Sequence, residues 1–510
     1  MASNLPDYVA SAQPVPQENR IPWFKSTAPT FAGIMLWFVF WHEVPMGSAI
    51  AEGLPFSSFA GGTLAAGLGV ALLGVVLAAL ICHFLFFLVP GLLGMQTGLP
   101  LYIVGTSTYG VKGGFLMPGF LMGALQYGWL SVNAFFAALL LVAPFGVGPG
   151  SVAHAIVAIL WTIAAAVVGL KGIQYVGMVA SYFPVIPITI LLILFVSTVG
   201  GLGAFDVDTL VSATAEVEAT HPRTGETLEP ANPLGVFGVI AVIFAYIVGF
   251  FATAGAAGCD FGMNNRDTRD VQLGGLVGVA LATILTGGLS LLIVAGAYGS
   301  LSPDQVAGRM QTTGLMSAIM GDTVAAIFWY LLALAAFPPA CFASFIAANS
   351  FKTTMPNVKP LISCGIGTLV AIGLAVSGLA GRAAEVFVII GASFGPVCGA
   401  MAADYLLAGK KWAGPRAGFN LAGWVSWVIG FIVGAFNFIP GRPFNLPAAP
   451  VAAFIVGFGL YWLLAKAGKE SEVLAMPQME GQAAGSPPAE AAPEPPAGQE
   501  PEQSSGSEDA

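Results

Sequence analysis

The stretch WHEVPMGSA, residues 41–49, interrupts an apolar segment that begins near Thr30. Pro45 has no amide hydrogen for the helical hydrogen-bond ladder, and Gly47 adopts non-helical conformations at little cost. We therefore predict that a helix crosses this apolar segment and breaks at Pro45 and Gly47. The alternative is a proline kink that binds no ligand.

The composition of the whole chain indicates an integral membrane protein. Of its 510 residues 56% are hydrophobic and only 8% are charged, whereas a soluble chain carries about 25% charged residues. The net charge of −9 gives no reason to expect a nucleic-acid partner, because much of it lies in one loop and one tail. We expect a small-molecule substrate and membrane lipid as partners, and a chain that functions as a monomer.

Apolar runs of about 20 residues recur along the chain, as transmembrane helices require. All of them must be helices, because backbone polar groups in lipid need partners within the same segment. We predict twelve spans, at residues 29–53, 60–90, 115–143, 151–170, 173–200, 234–258, 272–300, 323–350, 360–379, 383–407, 417–438 and 447–466.

The basic residues set the predicted orientation. Cytoplasmic loops carry an excess of Lys and Arg. With the N-terminus placed in the cytoplasm, most of the 17 basic residues fall in inner segments, and the outer segments hold only Arg223, Arg309, Arg382 and Arg442. Both termini are therefore predicted to be cytoplasmic. We expect a multi-pass protein of the cell membrane, in this case a bacterial inner membrane.

The chain divides into three predicted parts. Residues 1–27 form a cytoplasmic N-terminal segment, and residues 28–466 form the transmembrane transporter domain, which includes an acidic outer loop at 201–233. Residues 467–510 are rich in Pro, Glu, Gly, Ala, Gln and Ser and hold few large apolar residues. Such a segment cannot build a core, so we predict a disordered cytoplasmic tail.

A second candidate break lies in the sixth span. In VGFFATAGAAG, residues 248–258, Gly249 and Gly255 punctuate an apolar run. The first and sixth spans occupy corresponding positions in two halves of five helices. Interrupted helices at corresponding positions are typical of transporters built from inverted repeats, in which the broken ends bind substrates or ions.

Glu43 is the ionisable residue that most needs an explanation. A carboxylate inside a membrane span is costly and is by default a functional hypothesis. His42 is adjacent in sequence, but neighbouring side chains diverge by about 100° on a helix, so the two pair directly only if the helix breaks. The alternatives are an acid buried as a neutral hydrogen-bonding group, or a carboxylate that binds a cationic group of the substrate. His83 and Asp404 are predicted to make structural contacts.

Gln126 and Trp129 lie three residues apart in GALQYGWLSVNAFF, residues 123–136, and so project from one helix face. An amide that donates and accepts, beside a flat indole, suits a planar heterocycle, because the ring can stack while the amide reads its edge. The alternative is packing between helices. The sequence contains no HExxH, P-loop, nucleophile elbow or cluster of metal ligands, so we predict neither an enzyme nor a metal site.

Three stretches carry a family resemblance. MQTGLPLYIVGTSTYGVKGGF (95–115) leads into QYGWLSVNAF (126–135), GFFATAGAAGCDFGMNNRD covers 249–267, and ASFGPVCGAMAADYLL covers 392–407. In this order they resemble the nucleobase:cation symporter-1 family, in particular its purine-cytosine permease type. The resemblance covers roughly residues 25 to 465.

The resemblance implies an all-α integral membrane protein of 12 transmembrane helices with a LeuT-type fold, a 5+5 inverted repeat in which helices 1 and 6 are broken. It implies a secondary active transporter, a permease or symporter, that imports a nucleobase or related small planar heterocycle such as cytosine, a purine or a hydantoin by cation-coupled alternating access. Gln126 and Trp129 match the family's substrate residues on the third helix, and Phe251, with Phe250 before it, falls at the aromatic position of the sixth. The alternatives are a non-transporting receptor and a transporter of a different small metabolite.

One segment departs from the family pattern. Sodium-coupled members carry hydroxyl and amide side chains on the eighth helix. In the corresponding stretch of this chain, FPPACFASF at residues 337–345, the residues Pro338, Pro339, Ala340 and Cys341 cannot supply them. A sodium site without those oxygens has an incomplete shell. We expect no cofactor, and the coupling cation is left open between H⁺ and Na⁺. Our hypothesis is that Glu43, with His42 beside it, takes up a proton in place of sodium.

Overall fold

The computed structural model describes residues 5–26, 38–47, 59–171, 182–215, 219–220, 227–228, 232–355 and 357–476. Within these residues nine helices are long and apolar enough to cross a membrane, and two shorter helices are apolar. With the described part of the first span they are labelled in chain order: α1 Phe38–Glu43, α2 Leu68–Thr97, α3 Phe115–Phe145, α4 Val152–Lys171, α5 Val185–Ala204, α6 Val236–Ala256, α7 Thr268–Ser300, α8 Asp322–Thr354, α9 Pro360–Val376, α10 Ala383–Leu407, α11 Leu421–Gly434 and α12 Ala449–Lys466.

Contacts between helices divide most of the bundle into two groups. In the first group α1 packs on α7, and α2 packs on both α6 and α7. In the second group α3, α4, α8 and α9 contact one another in every combination. Each group therefore contains pairs of helices that stand five apart in the chain (1 and 6, 2 and 7, 3 and 8, 4 and 9), as an inverted repeat of five helices requires. α10 packs against α6, α11 and α12.

α1 ends where the sequence predicts a break. Its last helical residue is Glu43; Pro45 lies in the turn that follows, and Gly47 comes directly after that turn. Gly47 has a φ of +61°, a left-handed conformation that favours glycine. The parts of the predicted span 29–53 before Phe38 and after Gly47 lie outside the described residues.

The interruption predicted in the sixth span lies further along the chain than Gly249 and Gly255. α6 is continuous through both glycines, and a separate short helix, Gly258–Gly262, follows after Ala257. The glycines allow close packing instead, since a Cβ atom at Gly249 would lie 2.5 Å from the carbonyl oxygen of Phe387 on α10. Both residues are therefore corrected from break positions to packing positions.

Segments predicted on the same side of the membrane meet at the same end of the bundle. At the predicted inner end, the amide of Leu101 donates to the carboxylate of Asp260 at 2.9 Å. At the predicted outer end, the amide of Gly61 donates to the hydroxyl of Thr214 at 2.6 Å. This separation agrees with the predicted order of the spans, whereas the identity of the cytoplasmic end stays a prediction.

The connecting segments contain short elements. In the predicted outer loop 201–233 a helix at Val207–Ala215 precedes two antiparallel strands, β1 (Ala219–Thr220) and β2 (Thr227–Leu228). Residues 216–218, 221–226 and 229–231 of this loop lie outside the described residues. The other short helices are Asp7–Ala10, Gln17–Asn19, Trp23–Ser26, Gly62–Leu64, Leu101–Val104, Thr106–Tyr109, Gly258–Gly262, Pro303–Val306, Thr312–Met320, Leu379–Gly381 and Phe436–Phe438.

The first ten residues of the predicted disordered tail belong to the fold, which corrects the predicted boundary. Glu470 accepts hydrogen bonds from the guanidinium of Arg416 at 2.7 Å and from the hydroxyl of Tyr461 at 2.8 Å. Arg416 is buried and also donates to Asp404 at 2.9 Å, so its charge has two carboxylate partners. Asp404 therefore makes the structural contacts that were predicted for it. Residues 477–510 lie outside the described residues.

Candidate functional site

Four aromatic side chains from four helices meet inside the bundle. The ring centroid of Trp129 (α3) lies 4.9 Å from that of Phe250 (α6) and 5.2 Å from that of Phe387 (α10). Phe250 lies 5.2 Å from Phe387 and 4.9 Å from Phe40 (α1). The rings meet edge to face or tilted, as aromatic pairs prefer. This aromatic cluster (Phe40, Trp129, Phe250 and Phe387) connects helices of both groups.

Two polar groups accompany the cluster on α3 and α6. The indole nitrogen of Trp129 donates to the hydroxyl of Thr253 at 3.2 Å. Gln126 precedes Trp129 by three residues and is buried. The amide nitrogen of Gln126 contacts the Met122 sulfur at 3.6 Å, and sulfur is a weak acceptor. Among the described residues the Gln126 amide has no other hydrogen-bond partner, so within this part of the chain most of its hydrogen-bonding capacity is open to a ligand.

The two predicted aromatic residues of α6 have different surroundings. Phe250 is the one that contacts Trp129. Phe251 is buried, but within the described residues no ring contact joins it to the aromatic cluster. Consecutive side chains on a helix diverge by about 100°, so the two cannot share one face. A direct role of Phe251 in a pocket with Gln126 and Trp129 stays a prediction.

Asn133, which lies two turns beyond Gln126 on α3, has a structural role. Its amide nitrogen donates to the carbonyl of Ala336 on α8 at 2.9 Å. Its amide oxygen accepts from the indole nitrogen of Trp161 on α4 at 3.0 Å. Both ends of this amide are therefore occupied by contacts that hold α3, α4 and α8 together.

The break after α1 brings His42 and Glu43 together. Nε2 of His42 lies 3.4 Å from Oε1 of Glu43, and both side chains are buried. Glu43 lines a small cavity of about 10 Å³ with Gly47, Thr63 and Tyr246, which is room for about one water molecule. The direct approach of the two side chains is possible because the helix ends at Glu43.

The backbone carbonyls released by the break already have partners. The hydroxyl of Thr63 donates to the carbonyl of Val44 at 3.0 Å, and its amide donates to the carbonyl of Pro45 at 3.1 Å. On α8, Pro338 and Pro339 lie inside a continuous helix. Their side chains, like that of the following alanine, contain no oxygen, so this stretch supplies no side-chain ligand for a hard cation.

Two residues near these sites were not predicted from the sequence. The hydroxyl of Thr313, in the short helix Thr312–Met320, is hydrogen-bonded to Nδ1 of His42. Phe387 completes the aromatic cluster from α10. Both contacts join residues far apart in the chain, and no local spacing signals them. An isolated threonine or phenylalanine in an apolar sequence is not distinctive.

The remaining histidine of interest packs as predicted. His83 is buried, and its ring lies 4.6 Å from that of Phe84 and 6.3 Å from that of Phe87. In the part of the chain that the structure describes, no group of three or more His, Cys, Asp or Glu side chains is placed to hold a metal ion.

No protein-family model matches the chain. Curated cytosine permeases do: that of Escherichia coli strain K12 is 27% identical over 250 residues, which cover 48% of this chain and 51% of the permease. The cytosine permease of Escherichia coli O157:H7 matches over the same shares at the same identity. The chain therefore spans about half the length of the curated relatives it matches.

Solved structures resemble the chain over nearly its whole length. Mhp1 in an inward-facing conformation has a TM-score of 0.62 at 16% identity and covers 95% of each chain. Mhp1 in a closed conformation with bromovinylhydantoin bound, described as a nucleobase-cation-symport-1 family transporter, has a TM-score of 0.58 at 14% identity, over 90% of this chain and 96% of Mhp1. A Na⁺-coupled sialic acid symporter has a TM-score of 0.51 at 12% identity, over 92% of this chain and 93% of the symporter. At these identities the likeness shows the fold alone.

The relatives by sequence and the neighbours by fold are transporters rather than enzymes. The fold is of the LeuT type, as the family resemblance implied. These findings confirm the resemblance: the chain is a multi-pass membrane protein that is similar in sequence to cytosine permeases and in fold to Mhp1, a nucleobase-cation-symport-1 family transporter.

Proposed function

We propose that the chain is a secondary active transporter that imports a nucleobase or a related small planar heterocycle by cation-coupled alternating access. The observation that carries the proposal is the aromatic cluster around Trp129 and Phe250, with the Gln126 amide on the same face of α3. Flat apolar rings beside an amide with free hydrogen-bonding capacity suit a planar, edge-polar ring. The match to cytosine permeases supports the same class of substrate.

The two helix groups supply the moving parts. The aromatic cluster joins α1 and α6 of the first group to α3 of the second. In this structure Trp129 and Phe250 pack on each other, so a substrate ring has to replace part of that contact. Rocking of one group against the other would then expose the site to one side at a time, as in transporters with inverted repeats. We place the protein in the cell membrane with both termini in the cytoplasm, on the distribution of Lys and Arg.

Uptake by reconstituted protein tests the substrate class. The full chain in proteoliposomes should accumulate at least one of labelled cytosine, hypoxanthine and hydantoin. Stacking of a base on an aromatic side chain contributes about 1–3 kcal/mol, so Trp129→Ala should raise the Kd of that compound about 5- to 150-fold. Trp427→Ala is the matched control, because Trp427 lies on α11 outside the cluster. Equal losses in both variants, or no binding and no uptake of any compound by the wild type, would count against the proposal. Binding of a compound without its uptake would favour the alternative that the protein is a non-transporting receptor.

For coupling we propose that Glu43 takes up the transported proton. Two features support a proton over sodium: Thr63 occupies the carbonyls at the break after α1, and α8 offers no side-chain oxygen at Pro338 and Pro339. Protonation would neutralise the carboxylate and lower the cost of moving it through a low-dielectric interior.

Glu43→Gln mimics the neutral acid and tests this coupling. The variant should exchange labelled substrate across the membrane but should no longer concentrate it when a pH gradient is imposed. Wild-type uptake should not depend on sodium. A sodium requirement in the wild type, or an unchanged response to pH in the variant, would contradict proton coupling through Glu43 and leave the substrate class standing.

A further inference from the structure

We propose that Thr313 and His42 form a relay that delivers protons from an outer cavity to Glu43. The inference rests on the proposed proton-coupled transport and names the route by which the proton enters. Its basis is a chain of contacts: the Thr313 hydroxyl is hydrogen-bonded to Nδ1 of His42, and Nε2 of the same ring lies 3.4 Å from Oε1 of Glu43. All three side chains are buried.

The outer end of the relay borders an open cavity. This cavity, of about 400 Å³, is lined by residues that include Arg309, Gly314, Asp322 and Trp329. Gly314 follows Thr313 in the chain, and the indole nitrogen of Trp329 donates to the Thr313 carbonyl at 3.2 Å. The cavity therefore reaches Gly314, the residue next to Thr313, and Trp329, a hydrogen-bond partner of Thr313.

The inner end of the relay has room for the last transfer. His42 Nε2 makes no hydrogen bond to any described residue, although the ring is almost fully buried. The cavity beside Glu43, of about 10 Å³, is large enough for about one water molecule. A small turn of the Glu43 side chain closes the distance of 3.4 Å to hydrogen-bond length.

An imidazole suits this position because its two nitrogens can accept and donate at the same time. The Thr313 hydroxyl donates its proton to Nδ1, the Nε2 proton passes to the Glu43 carboxylate, and the hydroxyl regains a proton from a hydronium ion in the outer cavity. The hydronium ion becomes water and one O–H bond forms on Glu43, with no change of oxidation state. Rotation of the hydroxyl and exchange of the ring tautomer then reset the relay.

The other groups around the relay do not replace it. Phe38 and Phe136 contact the imidazole by their ring edges and carry no proton to exchange. Among the residues that line the cavity beside Glu43, the other titratable side chain is Tyr246 of α6, whose hydroxyl donates to the carbonyl of Val39 at 2.9 Å. The charged groups among the lining of the outer cavity are Arg309 and Asp322. The described helix Thr312–Met320 contains no charged residue.

Two neighbouring threonines give a matched test. Thr312 is buried like Thr313, but its hydroxyl has no hydrogen-bond partner among the described residues. Thr313→Val should slow cytosine accumulation driven by a pH gradient about 10²-fold, the lower end of what a positioned acid–base group contributes. Exchange of labelled cytosine at equal pH should be unchanged, because exchange needs no net proton movement. Thr312→Val should match the wild type in both assays, and Thr313→Ser should keep the relay. Hypoxanthine or hydantoin replaces cytosine if the wild type transports that compound instead.

A pH-sensitive dye inside the vesicles reads the proton directly. Substrate added outside should acidify the lumen in the wild type and in Thr312→Val, and much more slowly in Thr313→Val. His42→Gln is a second variant that keeps a hydrogen bond to Thr313 but cannot relay, and it should show the same loss with normal exchange. Normal accumulation in Thr313→Val, equal losses at Thr312 and Thr313, or exchange that falls together with accumulation would each overturn the relay. Uptake driven by sodium without a response to pH would overturn the relay and leave transport intact, whereas absent exchange of every compound would overturn the proposed function itself.

Discussion

Gln126 and Asn133 are both buried amides on α3, and the structure predicts opposite consequences when each is replaced by alanine. The Asn133 amide is held at both ends, by Ala336 and Trp161, at 2.9 and 3.0 Å. The Gln126 amide has a sulfur contact at 3.6 Å in the same helix. We expect Asn133→Ala to reduce stability and Gln126→Ala to reduce substrate affinity.

The magnitudes follow from the contacts. Interhelical hydrogen bonds in membrane proteins contribute about 0.6 kcal/mol on average and at most about 1.7, so the two bonds of Asn133 give about 1–3 kcal/mol of unfolding free energy. Loss of the Gln126 amide leaves polar groups of a bound heterocycle without partners, at a cost of about 1–3 kcal/mol. That cost corresponds to about a 5- to 150-fold increase in Kd. Removal of one sulfur contact should change the stability of the Gln126→Ala variant very little.

Two assays on the same purified variants separate these effects. Thermal unfolding, followed by tryptophan fluorescence without substrate, measures stability. Equilibrium binding of the transported compound, well below the melting temperature, measures affinity. A Gln126→Ala variant that binds as the wild type does would refute the assignment of this amide to the substrate. The reasoning would also fail if Asn133→Ala lost more affinity than Gln126→Ala while its melting temperature stayed unchanged.

Three further predictions concern topology, pH and packing. An epitope in loop 201–233 should be labelled from outside intact cells and one at the C-terminus should not; labelling of the C-terminus from outside would refute the orientation. Burial raises the pKa of Asp260, in the segment after α6, to about 6, so the folded state loses stability as pH rises from about 4 to about 6. Asp260→Asn should therefore stabilise the folded state at pH 8 by about 1–2 kcal/mol, since this group is partly exposed, and so raise the melting temperature. At pH 4 the melting temperature should not change. An equal rise at pH 8 and at pH 4 would contradict an origin in the raised pKa. Gly262→Ala should destabilise by about 1–3 kcal/mol, because its Cβ would overlap the carbonyl of Gly91, whereas Gly459→Ala, which meets open space on α12, should not reduce the melting temperature.

The membrane spans and their order could be predicted because the signals for them are local. Hydropathy over about 20 residues identifies a span, and a spacing of three residues places Gln126 and Trp129 on one helix face. The end of α1 at Glu43 was also predictable, since Pro45 and Gly47 act on the backbone where they stand.

The rest depends on contacts between residues that are distant in the chain. Thr313 contacts His42, which lies 271 positions earlier in the chain, and neither composition nor hydrophobic periodicity can predict such a contact. Gly249 was mispredicted for a different reason, because a glycine in an apolar helix indicates either a break in the helix or close packing against a neighbouring helix. The position of Phe387 on α10 shows that close packing is the correct alternative. The polar composition of residues 467–476 predicted disorder, whereas this segment is part of the fold. Composition does not show that Glu470 pairs with Arg416, which lies 54 positions earlier.

The anchoring of Glu470 shows that the fold continues beyond the end of α12. A chain shortened to the last residue of α12 would keep every span but would leave the Arg416 guanidinium buried with one carboxylate instead of two. A buried charge that loses a partner is strongly destabilising. The smallest unit that keeps this charge balanced therefore extends through Glu470. Reporter fusions and affinity tags belong beyond Met476, where they leave the described contacts around Arg416 and Glu470 in place.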